Sequence, residues 1–226
     1  MSPRPRTVDD STILAAAVTV LSRMGPERLT LADVGEEAGL SAATLVQRFG
    51  SKRELLLSVL KFATGGMHER FESASRGHES PLEALFAAAA DRAVPVGEPE
   101  ALGNLLAFYL AALNDADFRA LAIENSNRAV AGYKRLLDEA VAAGEVDSYV
   151  DTAQLAQTIY SLTMGTLLTW AVTGGGNYRS RVRRELDVLL RPFRRTPRKA
   201  PGHSQFEPPD RPGRKTPPSA SPAVTV

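Results

Sequence analysis

Along most of the chain, apolar residues return every three or four positions, and no convincing run alternates apolar with polar side chains as a half-buried strand would. The pattern therefore predicts an all-α protein. Its first helix spans about Asp10 to Met24, where Ile13, Leu14, Ala17, Val20, Leu21 and Met24 form one stripe that Gly25-Pro26 ends. Two short helices follow. Thr30 caps the first, with Asp33 as the acidic partner of a capping box, and Gly39 supplies the left-handed turn that stops it. Ser41 caps the second, in which Leu45 and Phe49 stand four apart and face a small core with Leu29, Leu31, Val34 and Leu55. Ala42, Ala43, Thr44, Val46, Gln47 and Arg48 are left to point elsewhere.

A second box, Ser51 with Glu54, opens a long helix through Leu55, Leu56, Val59, Leu60 and Phe62 towards about Ser75. Gly65-Gly66 inside it marks a hinge or kink, because each mid-helix glycine costs about 1 kcal/mol relative to alanine. Five more helices are expected. Ser80-Pro81 starts one that lasts to about Val94, and Pro99 opens another carrying Leu102, Leu105 and Tyr109. Asp117 caps a long helix that ends at Gly144. Asp147 or Asp151 opens the next, which the triple glycine at 174–176 closes, and the last runs from about Tyr178 to Phe193. Residues 1–8 read as a flexible arm, 9–55 as a helical head, 56–195 as a larger helical domain, and 196–226 as a disordered tail. That tail holds eight of the fifteen prolines and almost nothing large to bury.

Composition narrows the function classes. A chain of 226 residues can bury one large core or two modest ones, and it contains no cysteine for a disulfide, a thiol nucleophile or a thiolate metal site. Its polar start, MSPRPRTVDDST, is no secretory signal. The uncharged run from Thr152 to Tyr178 is broken by glutamines, threonines and glycines, which favours a buried helix in a cytoplasmic protein without a membrane partner. The net charge of +1 hides a partition. Residues 1–62 carry eight basic and seven acidic side chains, residues 63–178 seven and fifteen, and residues 179–226 twelve and four. Any nucleic-acid contact must therefore be local.

Catalytic chemistry finds no foothold. His68, His78 and His203 form no metal-ligand pair, and the serine elbow, phosphate loop and dinucleotide fingerprint are all missing, so neither an enzyme nor a cofactor is expected. The acidic middle instead places His68, Asn104, Asn125, Tyr133, Gln157 and Tyr160 on otherwise apolar helices, near Phe71, Phe108 and Met164. Hydrophobic walls with a few polar anchors make small-molecule pockets, and these nine residues are the candidate lining for an effector of unknown identity.

The stretch from Thr30 to Lys52 carries the strongest signal. Two short helices around a glycine turn, with an apolar seam behind and short or hydrogen-bonding side chains in front, suit entry into a DNA major groove. Residues 30–55 resemble the N-terminal domain of TetR-type transcriptional regulators in Ala38-Gly39-Leu40-Ser41, Thr44-Leu45, Phe49 and Ser51-Lys52-Arg53-Glu54-Leu55. One position departs: Val46 stands where the family usually has a tyrosine whose hydroxyl holds a phosphate. The resemblance implies a homodimeric regulator of a palindromic operator on double-stranded DNA, usually a repressor released by a small, largely apolar ligand.

Roles follow residue by residue. Ala42, Ala43, Thr44, Gln47 and Arg48 face the major groove, with Gln47 suited to adenine and Arg48 to guanine or either of them to the backbone. Thr30, Ser41 and Lys52 hold phosphates, and Val46 is a DNA-binding position without the tyrosine's hydroxyl. The last two helices resemble the family's dimer pair, with Leu155, Ile159, Leu162, Leu167 and Trp170 on one and Val182, Leu186, Leu189 and Phe193 on the other. Two other readings remain open at this point: an architectural DNA binder using the basic tail, and a helical carrier or enzyme with a degenerate head.

Overall fold

The computed structural model describes residues 8–91 and 99–195. The expected arm with Arg4 and Arg6, the end of the helix near Val94, and the tail from 196 onwards lie outside the described residues. Within them the chain is helical, and the only extended pairing is a single antiparallel bridge between Val146 and Arg194. The helices are α1 (Asp10–Arg28), α2 (Leu31–Ala38), α3 (Ala42–Phe49), α4 (Lys52–Gly77) and α5 (Pro81–Ala90), then α6 (Pro99–Ala112), α7 (Ala116–Ala142), α8 (Thr152–Thr173) and α9 (Tyr178–Leu190).

Local chemistry explains the boundaries, and where it differs from the sequence pattern the reason is visible. Gly25 takes a non-helical conformation, yet α1 resumes for one turn to Arg28, so Gly25-Pro26 is a kink rather than an end. Thr30 and Asp33 close the expected capping box on α2, and Gly39 sits in the left-handed region after it. Ser51 caps α4 by accepting from the Glu54 N–H, but the box is half made. The Glu54 carboxylate is taken by Arg53, and the Ser51 N–H goes to the Phe49 carbonyl. Helix α4 then passes through Gly65-Gly66 as one continuous helix, with no kink at the expected point. The N-cap of α7 is Asp115, two residues before Asp117, and that of α8 is Asp151.

Two cores result. The first gathers Ile13, Leu21, Leu29, Val34, Leu45 and Leu55 from the head, and also Phe108 and Phe118 from α6 and α7. The second lies between α4, α5, α7, α8 and α9, around Phe71, Phe86, Leu136, Leu137, Ile159 and Leu186. At about 1.5–3 kcal/mol for each fully buried large aliphatic or aromatic side chain, such clusters supply the main favourable term in folding. Among the described residues no helix is long and apolar enough to cross a membrane. The head is not an isolated ball: α6 packs along α1, and the α4 helix belongs to both cores. The chain after α9 is pinned to the α7–α8 turn, where the Asp147 N–H donates to the Phe193 carbonyl and the Arg195 N–H to that of Glu145.

Candidate nucleic-acid interface and ligand cleft

The α2–α3 pair is built from its turn outwards. Beyond Gly39, the Leu40 N–H returns to the Gly35 carbonyl at 2.7 Å, and the Ser41 hydroxyl accepts from the Thr44 N–H at 3.1 Å. Glycine is required at 35 because a Cβ there would stand 2.7 Å from the Leu40 carbonyl oxygen. Leu45 is fully buried and Phe49 half-buried, so the opposite face of α3 turns outwards with Ala43, Val46 and Gln47, spaced three and four apart. Val46 is 49% exposed, unusual for a valine inside a helix that packs on a core.

Hydrogen bonds reassign several candidates. Thr44 is half-buried and its hydroxyl pairs with that of Ser41 at 2.9 Å. The Thr30 hydroxyl donates to Asp33 at 2.6 Å, and this bond, with that from the Thr30 N–H, holds the Asp33 carboxyl below the usual carboxylate range. Arg48 does not extend with Gln47. Its guanidinium donates to the Val8 carbonyl at 2.5 Å and lies 3.6 Å from Asp10, which ties the end of α3 to the start of α1. Lys52 likewise turns inwards, donating to the Glu27 carbonyl at 3.0 Å, where an ammonium offsets the negative end of α1.

An arginine that the sequence offered only as part of a motif proves central. Arg53 donates to both carboxylate oxygens of Asp115 at 2.9 Å, to Asp117 at 2.7 Å and to Glu54 at 2.9 Å, with its guanidinium 5.7 Å from the Phe118 ring centre. The hydrogen bond from Arg53 is the main reason the Asp115 carboxyl is held low, while the surrounding carboxylates raise the guanidinium. Since Asp115 also caps α7, this cluster joins the first turn of α4 to the first turn of α7. A second tie runs from the Asn104 side-chain amide on α6 to the Ser22 carbonyl on α1, at 2.8 Å.

A cleft of about 1180 Å³ opens between α1, α4, α5 and α7. Its walls are Ala15, Val18 and Thr19 of α1, the α4 face from Phe62 through Gly65, Gly66 and Met67 to Ala74, then Ala87 and Ala88 of α5 and Asn125 of α7. Glu69, Arg70, His78, Asp91 and Arg179 supply its polar groups, and Arg179 pairs with Asp91 at 3.1 Å. Of the nine lining candidates named from sequence, Asn125 alone is in this wall.

The other eight are elsewhere for identifiable reasons. Phe71 and Tyr133 are buried against each other, ring centres 5.1 Å apart, and Phe108 meets Phe118 edge-on at 5.9 Å. Asn104 holds α1. The Tyr160 hydroxyl bonds Ser126 at 2.7 Å. His68 and Gln157 face solvent away from the cleft, and Met164 is half-buried on α8. What the sequence reading missed is the glycine pair: nothing comes within 4 Å of a Cβ placed at Gly65 or Gly66, so the weak point in the pattern is a bare stretch of wall.

The expected dimer residues need a similar correction. Leu155, Ile159, Leu167, Trp170, Val182 and Leu186 are buried inside the protomer and cannot meet a partner, while Leu162, Leu189 and Phe193 are half-buried against the same core. The apolar stripe of α8 and α9 is spent on their own core. Their outward faces carry Gln157, Ser161, Gly165, Leu168 and Val172 on α8 and Arg184 and Val188 on α9, with Leu168, Val172 and Val188 all more than half exposed.

Comparison with known proteins agrees with this geometry. Residues 13–59 match the model of bacterial regulatory proteins of the tetR family, and residues 81–193 that of the BetI-type transcriptional repressor C-terminal domain. The chain is 29% identical to the HTH-type transcriptional regulator BetI of Agrobacterium fabrum over 121 residues, 51% of this chain and 57% of that regulator, so the match spans little more than half of its length. It is 25% identical to the fatty acid metabolism regulator protein of Bacillus subtilis over 169 residues, 71% of this chain and 82% of the relative. The fold is similar to that of the B. subtilis regulator FadR in complex with stearoyl-CoA, at 19% identity and a TM-score of 0.60, covering 80% of this chain and 98% of that one. A transcriptional regulator from Saccharomonospora viridis in complex with choline gives 0.66 at 19% identity, over 80% and 94% of the two chains. With the head, the turn and the helical body all matched in order, the chain belongs to the TetR family of bacterial regulatory proteins.

Proposed function

We propose that this protein is a sequence-reading transcriptional repressor that leaves its operator when a small, largely apolar ligand enters the cleft between α1, α4, α5 and α7. The observation that carries this reading is that head and cleft share their walls: α1 and α4 support the α2–α3 pair and also line the cavity. The outward ridge Ala43, Val46 and Gln47 would lie in the major groove. The first turns of α2, α3 and α4 would meet phosphates with their free N–H groups, starting from Thr30, Ser41 and the neighbourhood of Lys52. One helix of eight residues touches few bases, so two copies on a palindrome are needed. The exposed Leu168, Val172 and Val188 are the surface we assign to the second copy.

Lining chemistry supports an apolar chain as the ligand. A quaternary ammonium is recognised by a cage of aromatic faces, and among the described residues Phe62 is the one phenylalanine, tyrosine or tryptophan in the wall. Binding would act by population shift, since a ligand that prefers a wider α1–α4 spacing favours head positions that no longer match the about 34–36 Å between half-sites.

The test is a footprint on DNA upstream of the protein's own gene, at two salt concentrations, with and without a series of fatty acyl-CoAs. A symmetric protected site that fades with one of them is the expected result. Absence of any protected site overturns the reading, and diffuse protection that disappears when residues 196–226 are deleted would replace it with an architectural role.

A further inference from the structure

The base-facing ridge of α3 is almost without hydrogen-bonding groups, and this limits what it can read. Thr44 is committed to Ser41, and Arg48 to the Val8 carbonyl and Asp10. Among the described outward residues of α3 this leaves Ala43, Val46 and Gln47, two hydrocarbon surfaces and one amide. A valine there is the largest apolar side chain on the ridge, 49% exposed and unsupported by any packing role of its own. In the major groove, cytosine and guanine present an amino donor and two acceptors that a valine would leave desolvated and unpaired. Thymine presents a C5-methyl group, the one base-edge feature whose natural partner is hydrocarbon.

We infer that Val46 is a specificity-determining residue that reads a thymine methyl in each half-site, beside an adenine that Gln47 can pair with through its amide. This rests on the DNA-reading function proposed above. It assigns to Val46 a role in sequence choice in place of the phosphate contact that a tyrosine would make, and it makes Arg48 a positioning residue that fastens α3 to α1. Removing one buried methyl from the contact should weaken binding about fourfold per half-site, or about fifteenfold for both.

Binding selection from a random duplex library with the full chain, followed by replacement of each thymine of the selected duplex by deoxyuridine, gives a test that needs no variant. The expected result is one thymine per half-site whose replacement weakens the wild-type protein by about that factor. Val46→Ala should bind the thymine duplex more weakly and lose its sensitivity to deoxyuridine at that position alone, with its thermal unfolding checked to confirm the fold. Tolerance of deoxyuridine at every thymine, or equal sensitivity in Val46→Ala, overturns the inference while leaving the DNA-binding reading intact. If the library yields no enriched sequence, both fall.

Discussion

Gly35→Ala tests how closely the recognition helix is set against its partner. A Cβ at this position would stand 2.7 Å from the Leu40 carbonyl oxygen, 3.3 Å from the Ser41 carbonyl carbon and 3.4 Å from the Ala42 nitrogen. All three are backbone atoms at the entrance to α3, so no side chain can swing away. The Leu40 carbonyl would have to retreat from 2.7 to about 3.4 Å, close to 0.7 Å, against a turn already closed by the Leu40 N–H to Gly35 carbonyl bond. Overpacking of this kind costs about 1–3 kcal/mol, and alanine returns about 1 kcal/mol of helix propensity. The control is Gly65→Ala, also mid-helix, where nothing lies within 4 Å and only the propensity gain should remain. The propensity terms cancel between the two variants, so their difference isolates the contact at about 1–3 kcal/mol. In melting temperature that is about 2–12 °C at 2–4 °C per kcal/mol for a chain of this size. Urea unfolding of both variants measures it, and DNA titration should show Gly35→Ala losing affinity, since the displaced atoms begin the recognition helix. Equal stability of Gly35→Ala and Gly65→Ala would refute the reasoning.

Other variants probe separate links. Gly132→Ala on α7 would drive a Cβ to 2.4 Å from the Phe71 ring, so it should destabilise, and Phe71→Leu in the same chain should restore part of the loss in a double-mutant cycle. Asp115→Ala removes both the α7 cap and the bidentate partner of Arg53; it should lower the melting temperature, and 1 M salt should shrink the gap to wild type because the pair is exposed. Asp9, Asp33, Asp115 and Asp138 all have carboxyls held below the usual value in the fold by hydrogen bonds. Their contribution is therefore present in full above the unfolded value of about 3.9 and is lost as pH falls through the lower folded values, so acid unfolding followed by circular dichroism should set in below about pH 4. Replacing all four by asparagine should flatten that limb.

The fold was legible where local rules and the apolar period agree. Thr30, Ser41 and Ser51 announce helix starts, Gly39 an end, and the three-four spacing of Ile13, Leu45 and Leu55 their buried faces. Legibility stopped where the deciding partner is distant in sequence. Arg53 is a surface arginine until Asp115 and Asp117 are brought beside it, and Arg48 is a base reader until the Val8 carbonyl arrives. Eight of the nine candidate lining residues lie outside this cleft for a related reason. Aromatics such as Phe71 and Tyr133 look the same in a sequence whether they wall a cavity or fill a core, and here mutual edge-on packing filled it. A cavity is better signalled by what is too small, as at Gly65-Gly66.

If a ligand binds as proposed, the placement of the cleft shortens its path to the α2–α3 pair. In a protein whose pocket lay wholly in the second core, a signal would have to cross several packed layers to reach α3. Here Val18 and Thr19 of α1 sit on the cavity wall while Ile13, Ala17 and Leu21 of the same helix fill the core under Leu45. A ligand that pushes α1 from α4 would therefore tilt the platform of the recognition helix directly, opposed by the Asn104 bond to Ser22 and by the Arg53 cluster at the start of α4. The first tie is a single amide hydrogen bond of modest strength, and the second an exposed cluster in which Arg53 donates to Asp115, Asp117 and Glu54. For the proposed release to occur, burial of an apolar chain, at about 25 cal/mol per Å², would have to outweigh both ties.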